Sequence, residues 1–401
     1  MQQLKPAVRF VLTCVFLDAL GFGLIIPVLP RLIGELAGAR DLQTYWYGII
    51  MAGYGLMQFL SSPVLGALSD RYGRKPVLLT GIFGLGIMQL VPALSSSLPL
   101  ILASRLAGGM LSANTVVAQA YIADITPAAK RSSSFGKIGA VFGVAFVIGP
   151  AIGGILGQIN PRIPFAFAAS ICCLNFLYGI FVLPESLRTP DPRPWCFSRF
   201  NPFGGLFRLL AVKRITPMVL VIGLIYLAQS LMQCTWALYT EFRYGWTPLN
   251  IGLSMFLIGA CIAGAQGFVL PRLLRWTSEP RIVTGALCIG FATLAGIGLS
   301  PWGYLAALLS WLFSFTGMAP AVIQGAVSRL VPETSQGEAM GAVSSLNSFS
   351  GVIAPLMSTP MLVYTASGAA SSFLSGVPYF LSSSILLLAL VIAMTAIRSY
   401  R

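Results

Sequence analysis

The chain of 401 residues contains no histidine, and only 9 % of it is charged. The first absence excludes any metal site built on imidazole. The seven cysteines, Cys14, Cys172, Cys173, Cys196, Cys234, Cys261 and Cys288, show no zinc-like spacing. Six of them fall in apolar stretches, which suits small packing residues. No nucleophile–base pair and no metal cluster is present, so neither an enzyme nor a bound cofactor is expected. The shortage of charge excludes a soluble fold: soluble domains carry about 25 % charged residues, whereas this chain is 56 % hydrophobic. Acids are scarcer than bases, 11 against 25, which leaves a net charge of +14. The bases sit in short loops between apolar runs, and no aromatic-plus-basic stretch resembles a nucleic-acid groove. The partner they imply is a bilayer, not a nucleic acid. No Asn-x-Ser/Thr acceptor occurs either, which favours a bacterial inner (cytoplasmic) membrane.

What the chain does have is long apolar runs. A hydrocarbon core of about 30 Å takes about 20 helical residues. Reading between polar breaks predicts twelve spans, at 7–29, 45–67, 77–95, 98–122, 134–157, 164–184, 215–239, 250–271, 281–299, 303–327, 338–363 and 374–396. The first run is too long for the core of a signal peptide and has no clear cleavage site after it, so it is expected to remain as a helix. With the N-terminus inside, twenty of the 25 bases fall on the inner side, four (Arg31, Arg40, Arg162, Arg243) on the outer side, and Arg105 within a span. That asymmetry predicts two cytoplasmic termini.

The longest polar stretch, "ESLRTPDPRPWCFSRFNPFGGLFRLLAVKR", lies at the midpoint. It is read as a cytoplasmic linker, 185–214, between a first six-helix half, 1–184, and a second, 215–401. The halves repeat. At an offset of 205, Gln119 meets Gln324, Pro127 meets Pro332, Gly136 meets Gly341 and Pro150 meets Pro355. The expected fold is an all-α membrane protein with two pseudo-symmetric halves. Such repeats place a substrate site near the bilayer midplane and imply alternating access.

Three sets of residues stand out. The first is "GALSDRYGRKPVLL", residues 66–79, which sets Asp70 among Arg71, Arg74 and Lys75, with Gly66 and Gly73 at its turns. A carboxylate near helix N-termini, flanked by arginines, can bridge the two halves as a cytoplasmic gate; simple positive-inside anchoring is the alternative. A worn copy, "GFVLPRLLRW", residues 267–276, keeps Gly267, Arg272 and Arg275 but has Pro271 in place of the acid. The second set is glycine-rich: Gly139, Gly143, Gly149, Gly153 and Gly154, with Pro150 to bend the helix. They are expected on one face of the fifth span, as a tight helix contact.

The third set lies deep. Asp18 sits about 13 Å from the inner end of the first span, and it is the only acid deep in any span. Arg105 is the one base at depth. Intramembrane charges are costly and mark function; a structural Asp18–Arg105 or Asp18–backbone contact is the alternative. Polar neighbours able to line the same cavity are Gln58, Gln89, Asn114, Gln119, Gln229, Gln233, Trp236, Gln266, Gln324 and Asn347. A low-dielectric site favours the protonated form of Asp18, whereas an adjacent Arg105 favours the charged form.

These residues carry a family resemblance. "GALSDRYGRKPVLL" resembles the loop signature of the major facilitator superfamily. "GVAFVIGPAIGG", residues 143–154, is similar to the fifth-helix motif of its drug:proton antiporter branch. With "LDALGFGLIIPVLP", "YGLMQ", "YIADIT" and "TEFRYGW", nearly the whole chain resembles the tetracycline efflux pumps. The resemblance implies a secondary transporter that extrudes an amphipathic small molecule or drug by alternating access, coupled to protons through Asp18. Asp124 joins the gate by the same resemblance, and the fifth-helix bend shapes the substrate path and limits leak. A facilitator or exchanger of an anionic metabolite, using Arg105, is the alternative. A non-transporting sensor or assembly partner is a third reading. A monomer is the expected state. The pumps carry an acid in helix 3, a histidine in helix 8 and an acid in helix 9, where this chain has Met88, Ile262 and Gly290.

Overall fold

The computed structural model describes residues 4–112, 114–126, 131–187, 215–331, 336–362 and 373–399. Most of the expected linker, from 188 onward, and Cys196, Pro127 and Pro332 lie outside these residues. Every regular element described is helical. In the first part of the chain these are α1 (Leu4–Ile25), α2 (Leu29–Ala37), α3 (Arg40–Tyr72), α4 (Arg74–Leu94), α5 (Leu98–Leu111), α6 (Asn114–Ile125), α7 (Arg131–Ile159) and α8 (Ile163–Val182). The later part has α9 (Thr216–Tyr244), α10 (Pro248–Gly264), α11 (Leu270–Trp276), α12 (Glu279–Leu299), α13 (Gly303–Phe313), α14 (Met318–Leu330), α15 (Gln336–Ser358) and α16 (Val377–Ser399). Among the described residues, eleven helical stretches are long and apolar enough to cross a bilayer. α15 occupies the place of the eleventh expected span and is not one of those eleven.

Two expected spans are interrupted. The fourth breaks between Leu111 and Asn114, and the tenth passes through a 3-10 turn at Ser314–Gly317. The eighth carries a π-helical segment, Ala265–Val269, between α10 and α11. Membrane helices tolerate such breaks where neighbours satisfy the freed backbone groups. The repeat is visible in the helix limits. α4 and α12 both run 21 residues and start and end 205 positions apart, and α5 and α13 start at the same offset.

Two compact units are present. The first comprises Met1–Gly38, Gly53–Asn201 and Thr247–Phe256; the second comprises Ala39–Ala52, Pro202–Trp246 and Leu257–Arg401. In the first, Val11, Val15, Leu78, Ile82, Leu85, Val117, Tyr121 and Ile122 form a buried core. Glycine makes its tightest contacts here. A Cβ on Gly149 would lie 2.9 Å from the Gly23 Cα, and one on Gly153 would strike the Leu24 carbonyl, so α7 and α1 meet backbone to backbone. Gly154 turns instead to Gly252 of α10, 3.1 Å from its Cα. Gly139 and Gly143 have nothing within 4 Å. The five glycines therefore do not share one contact face. Residues 149–154 form a two-sided wedge, because successive helical positions turn by about 100°.

In the second unit, the first third of α3 packs on α9. The Tyr47 hydroxyl donates to the Cys234 carbonyl oxygen at 2.9 Å, and Gln43 Nε2 donates to Glu241 Oε1 at 3.2 Å. Both groups lie far from their partners in sequence, so these bonds fix tertiary structure.

Candidate functional site

Asp18 lies half-buried on α1. Its partner is Asn114, the first residue of α6, whose Nδ2 donates to Oδ1 at 3.4 Å and Oδ2 at 3.3 Å. Gly81 of α4 leaves the slot that Asn114 occupies: a Cβ there would overlap Asn114 Oδ1. Arg105 on α5 is 6 % exposed. Its Nη2 donates to Gln89 Oε1, and its guanidinium lies over the Phe165 ring, 5.7 Å from the centroid. Its Nε has no hydrogen-bond partner. Among the described residues no ion pair joins Arg105 to Asp18 or to any other carboxylate. The structural contact between these two residues, left open by the sequence, is not formed. Gln58 is half-buried, while Gln119 is exposed.

The second unit holds the other expected cavity residues, and it treats them differently. Gln324 Nε2 donates to the Tyr226 hydroxyl at 2.6 Å. Gln266, inside the π-helical segment, donates through Nε2 to the Gly317 carbonyl at 3.2 Å. This bond joins the two irregular turns of the unit, the π segment and the 3-10 turn. π-bulges of this kind recur at functional sites. Gln233 is exposed. Trp236 is 1 % exposed and packs edge-on to Trp246, with centroids 5.9 Å apart. It is part of the core and not an open wall.

The polar loop forms a knot inside the first unit. Arg74 is 8 % exposed and is gripped on several sides. Its Nη1 pairs with Asp70 Oδ1 at 2.5 Å and donates to Ser69 Oγ at 2.7 Å, and its Nε pairs with Asp124 Oδ2 at 2.9 Å. Gly73 makes the turn possible: its φ of 105° is costly for any residue with a Cβ. Gly66 has no such constraint, since a Cβ there would meet only Val116 at 3.7 Å. Arg71 lies over the Tyr72 ring at 5.7 Å.

The sequence reading missed Glu185, which it left as a linker acid. Glu185 Oε1 accepts from the Arg74 backbone N–H at 2.9 Å, and Oε2 from the Lys75 N–H at 3.1 Å. It also folds back onto Ser186 and Leu187. Glu185 thus caps the positive end of α4. Ser186 Oγ adds a bond to Asp124 Oδ2 at 3.2 Å, and the Tyr121 hydroxyl holds the Pro184 carbonyl at 2.6 Å. An acid directly after the last apolar residue of the sixth span was the available signal; which helix end it meets is a tertiary fact.

A helical membrane chain with an internal repeat, a deep acid held by an amide and an arginine knot at one helix junction is the architecture of a secondary transporter. Residues 11–355 match the Major Facilitator Superfamily, and the chain belongs to that family. It is a multi-pass integral membrane transporter and not an enzyme. Its relatives include the class C tetracycline resistance protein of Escherichia coli, 35 % identical over 364 residues that span 90 % of this chain and 91 % of that one. Multidrug resistance protein 1 of Bacillus subtilis (strain 168) is 28 % identical over 89 % of this chain and 90 % of its own. Among solved structures, the human organic anion transporter MFSD10 matches with TM-score 0.71 and 25 % identity, over 97 % of this chain and 99 % of that one. A bacterial homolog of the human lysosomal transporter Spinster shares the fold, with TM-score 0.78 and 15 % identity over 98 % and 97 % of the two chains.

Proposed function

We propose that this protein is a proton-coupled exporter of an amphipathic small molecule, working by alternating access in a bacterial inner membrane. In this reading it has twelve spans, two cytoplasmic termini, two six-helix halves and a monomeric state. Asp18 carries the proton. The observation that supports it most is the setting of Asp18: a membrane-depth carboxyl whose neighbour is a neutral amide and not a cation. A carboxyl so placed can take and release a proton without breaking an ion pair. Gln58, Arg105, Asn114, Gln119, Gln233, Gln266 and Gln324 line the substrate path, with Trp236 behind it. Asp70, Arg71, Arg74 and Asp124 form the inner gate, with Gly66 and Gly73 at its turns. Gly143, Gly149, Pro150, Gly153 and Gly154 set the course of the fifth span.

The relatives are named for tetracycline resistance; by the resemblance those pumps carry an acid in helix 9 where this chain has Gly290, and a side chain there would have to displace its neighbours. A Cβ on Gly290 would lie 2.7 Å from both Leu386 Cδ1 and Thr316 Oγ1. The proposed cargo is therefore a drug-like amphipath and not tetracycline in particular. The second reading is export or exchange of an organic anion. Arg105 favours it, as a buried guanidinium with an unpartnered Nε and no carboxylate. Proteoliposomes separate the two. Tetracycline, ethidium and a dicarboxylate are offered with and without an imposed pH gradient. Gradient-stimulated movement of an uncharged or cationic amphipath supports the first reading. Gradient-independent counterflow of the dicarboxylate alone replaces it with the second.

A further inference from the structure

The repeat offset of 205 carries Arg74 to Glu279 and Asp124 to Arg329. The second pair is also an ion pair: Arg329 Nη2 meets Glu279 Oε1 at 2.8 Å and Oε2 at 2.6 Å. It joins the start of α12 to the last turn of α14, as Arg74 and Asp124 join α4 to the end of α6. The signs are reversed. We propose that Glu279–Arg329 is a charge-inverted second brace, and that, unlike the first, it is labile and opens under ordinary conditions.

The inversion has a physical basis in the helix dipoles. A helix N-terminus is partly positive and a C-terminus partly negative. Glu279 at the start of α12 and Arg329 at the end of α14 both suit their ends. Arg74 and Asp124 both oppose theirs. The first brace therefore needs help, and it has it: Glu185 caps α4, and Ser69, Asp70 and Ser186 complete the set. The second brace needs no cap, and Ser278 before α12 makes no side-chain cap bond.

Exposure sets the difference in lifetime. The Arg74 and Asp124 side chains are 8 % and 26 % exposed, whereas those of Arg329 and Glu279 are 62 % and 38 % exposed. Exposed pairs are weak and are screened by salt. The repeat thus keeps the link and discards its sign and its permanence. This inference does not rest on the substrate or coupling proposed above.

Amide hydrogen exchange on the full chain in lipid nanodiscs tests it. In the wild type, raising salt from 0.05 to 0.5 M should speed exchange several-fold in 277–283 and leave 73–79 unchanged. Glu279→Arg and Arg329→Glu alone should each speed exchange in 277–283 at low salt by about fivefold, the span expected of an exposed pair turned repulsive. The double reversal should fall between the single reversals and the wild type, because the restored pair then opposes both helix dipoles without a cap. Salt-insensitive exchange in 277–283, or a double reversal as fast as either single, overturns the proposal. Glu279→Gln serves as the milder variant should a reversal fail to fold.

Discussion

The two compact units handle polarity at membrane depth in opposite ways. The first buries charge. Asp18 faces Asn114, and Arg105 lies over the Phe165 ring and donates to Gln89 among the described residues. The second keeps its half-buried guanidinium, Arg243, in the last turn of α9, over the Tyr239 and Tyr244 rings. Beyond the kind of break that also interrupts the fourth span, it has a π segment at Ala265–Val269 and a 3-10 turn at Ser314–Gly317 linked by Gln266. Charge in hydrocarbon costs stability and is kept for function. Irregular backbone offers motion and carbonyl groups at lower cost. On the function proposed above, the contrast is a division of labour, with the ion-handling chemistry assigned to the first unit and the adaptable, neutral surface to the second.

Several variants would sharpen or break that contrast. The largest effect is expected for Gly153→Val in the first unit. Its side chain would enter the Leu24 backbone, so α1 and α7 must part at a cost of roughly 3 kcal/mol or more. The yield of folded protein in detergent should collapse, whereas Gly143→Val, with nothing within 4 Å, should be neutral. Next comes Arg74→Ala, which strands Asp124 and Asp70. The loss should be about 2 kcal/mol, below that of a fully buried pair because Asp70 is half-exposed. Thermal melting in detergent would read it. Arg329→Ala should move the melting temperature far less, since that pair is exposed. Gly290→Asp, which introduces the acid that the resemblance places in helix 9, should destabilise by about 1 kcal/mol, because the Leu386 and Thr316 side chains must move aside. A stable Gly290→Asp protein with gained tetracycline export would show the second unit to be latent ion-handling machinery. A similarly small effect, about 1 kcal/mol, is expected for Glu185→Gln, as a neutral amide oxygen replaces a charged cap on α4.

Much of this was legible in the sequence. Apolar run length located eleven helices long and apolar enough to span, and α3 runs five residues past its expected end because helices outrun the bilayer. The offset of 205 was readable at Gln119 and Gln324 and reappears in the limits of α4 and α12. Asp18, Arg105 and the Arg74 knot stood out because charge is rare here. What was not legible depended on which helices touch. Glu185 looked like a linker acid until the end of α8 met the start of α4. Trp236 looked like a cavity wall, because an aromatic among glutamines carries no mark of its burial. The worn copy at 267–276 was aligned on its arginines. At the offset of 205 set by α4 and α12, Arg74 meets Glu279, a match hidden because its sign is reversed. Gln266 gave no hint that it ties two irregular turns together.

The central claim is that Asp18, beside Asn114 and apart from Arg105, is the proton carrier. Asp18→Asn removes the titrating proton and keeps the shape. In proteoliposomes, with the panel member that the wild type carries, pH-gradient-driven transport should vanish while gradient-independent exchange of that compound survives. Gradient-driven transport at the wild-type rate in Asp18→Asn, at matched protein levels, would contradict the account.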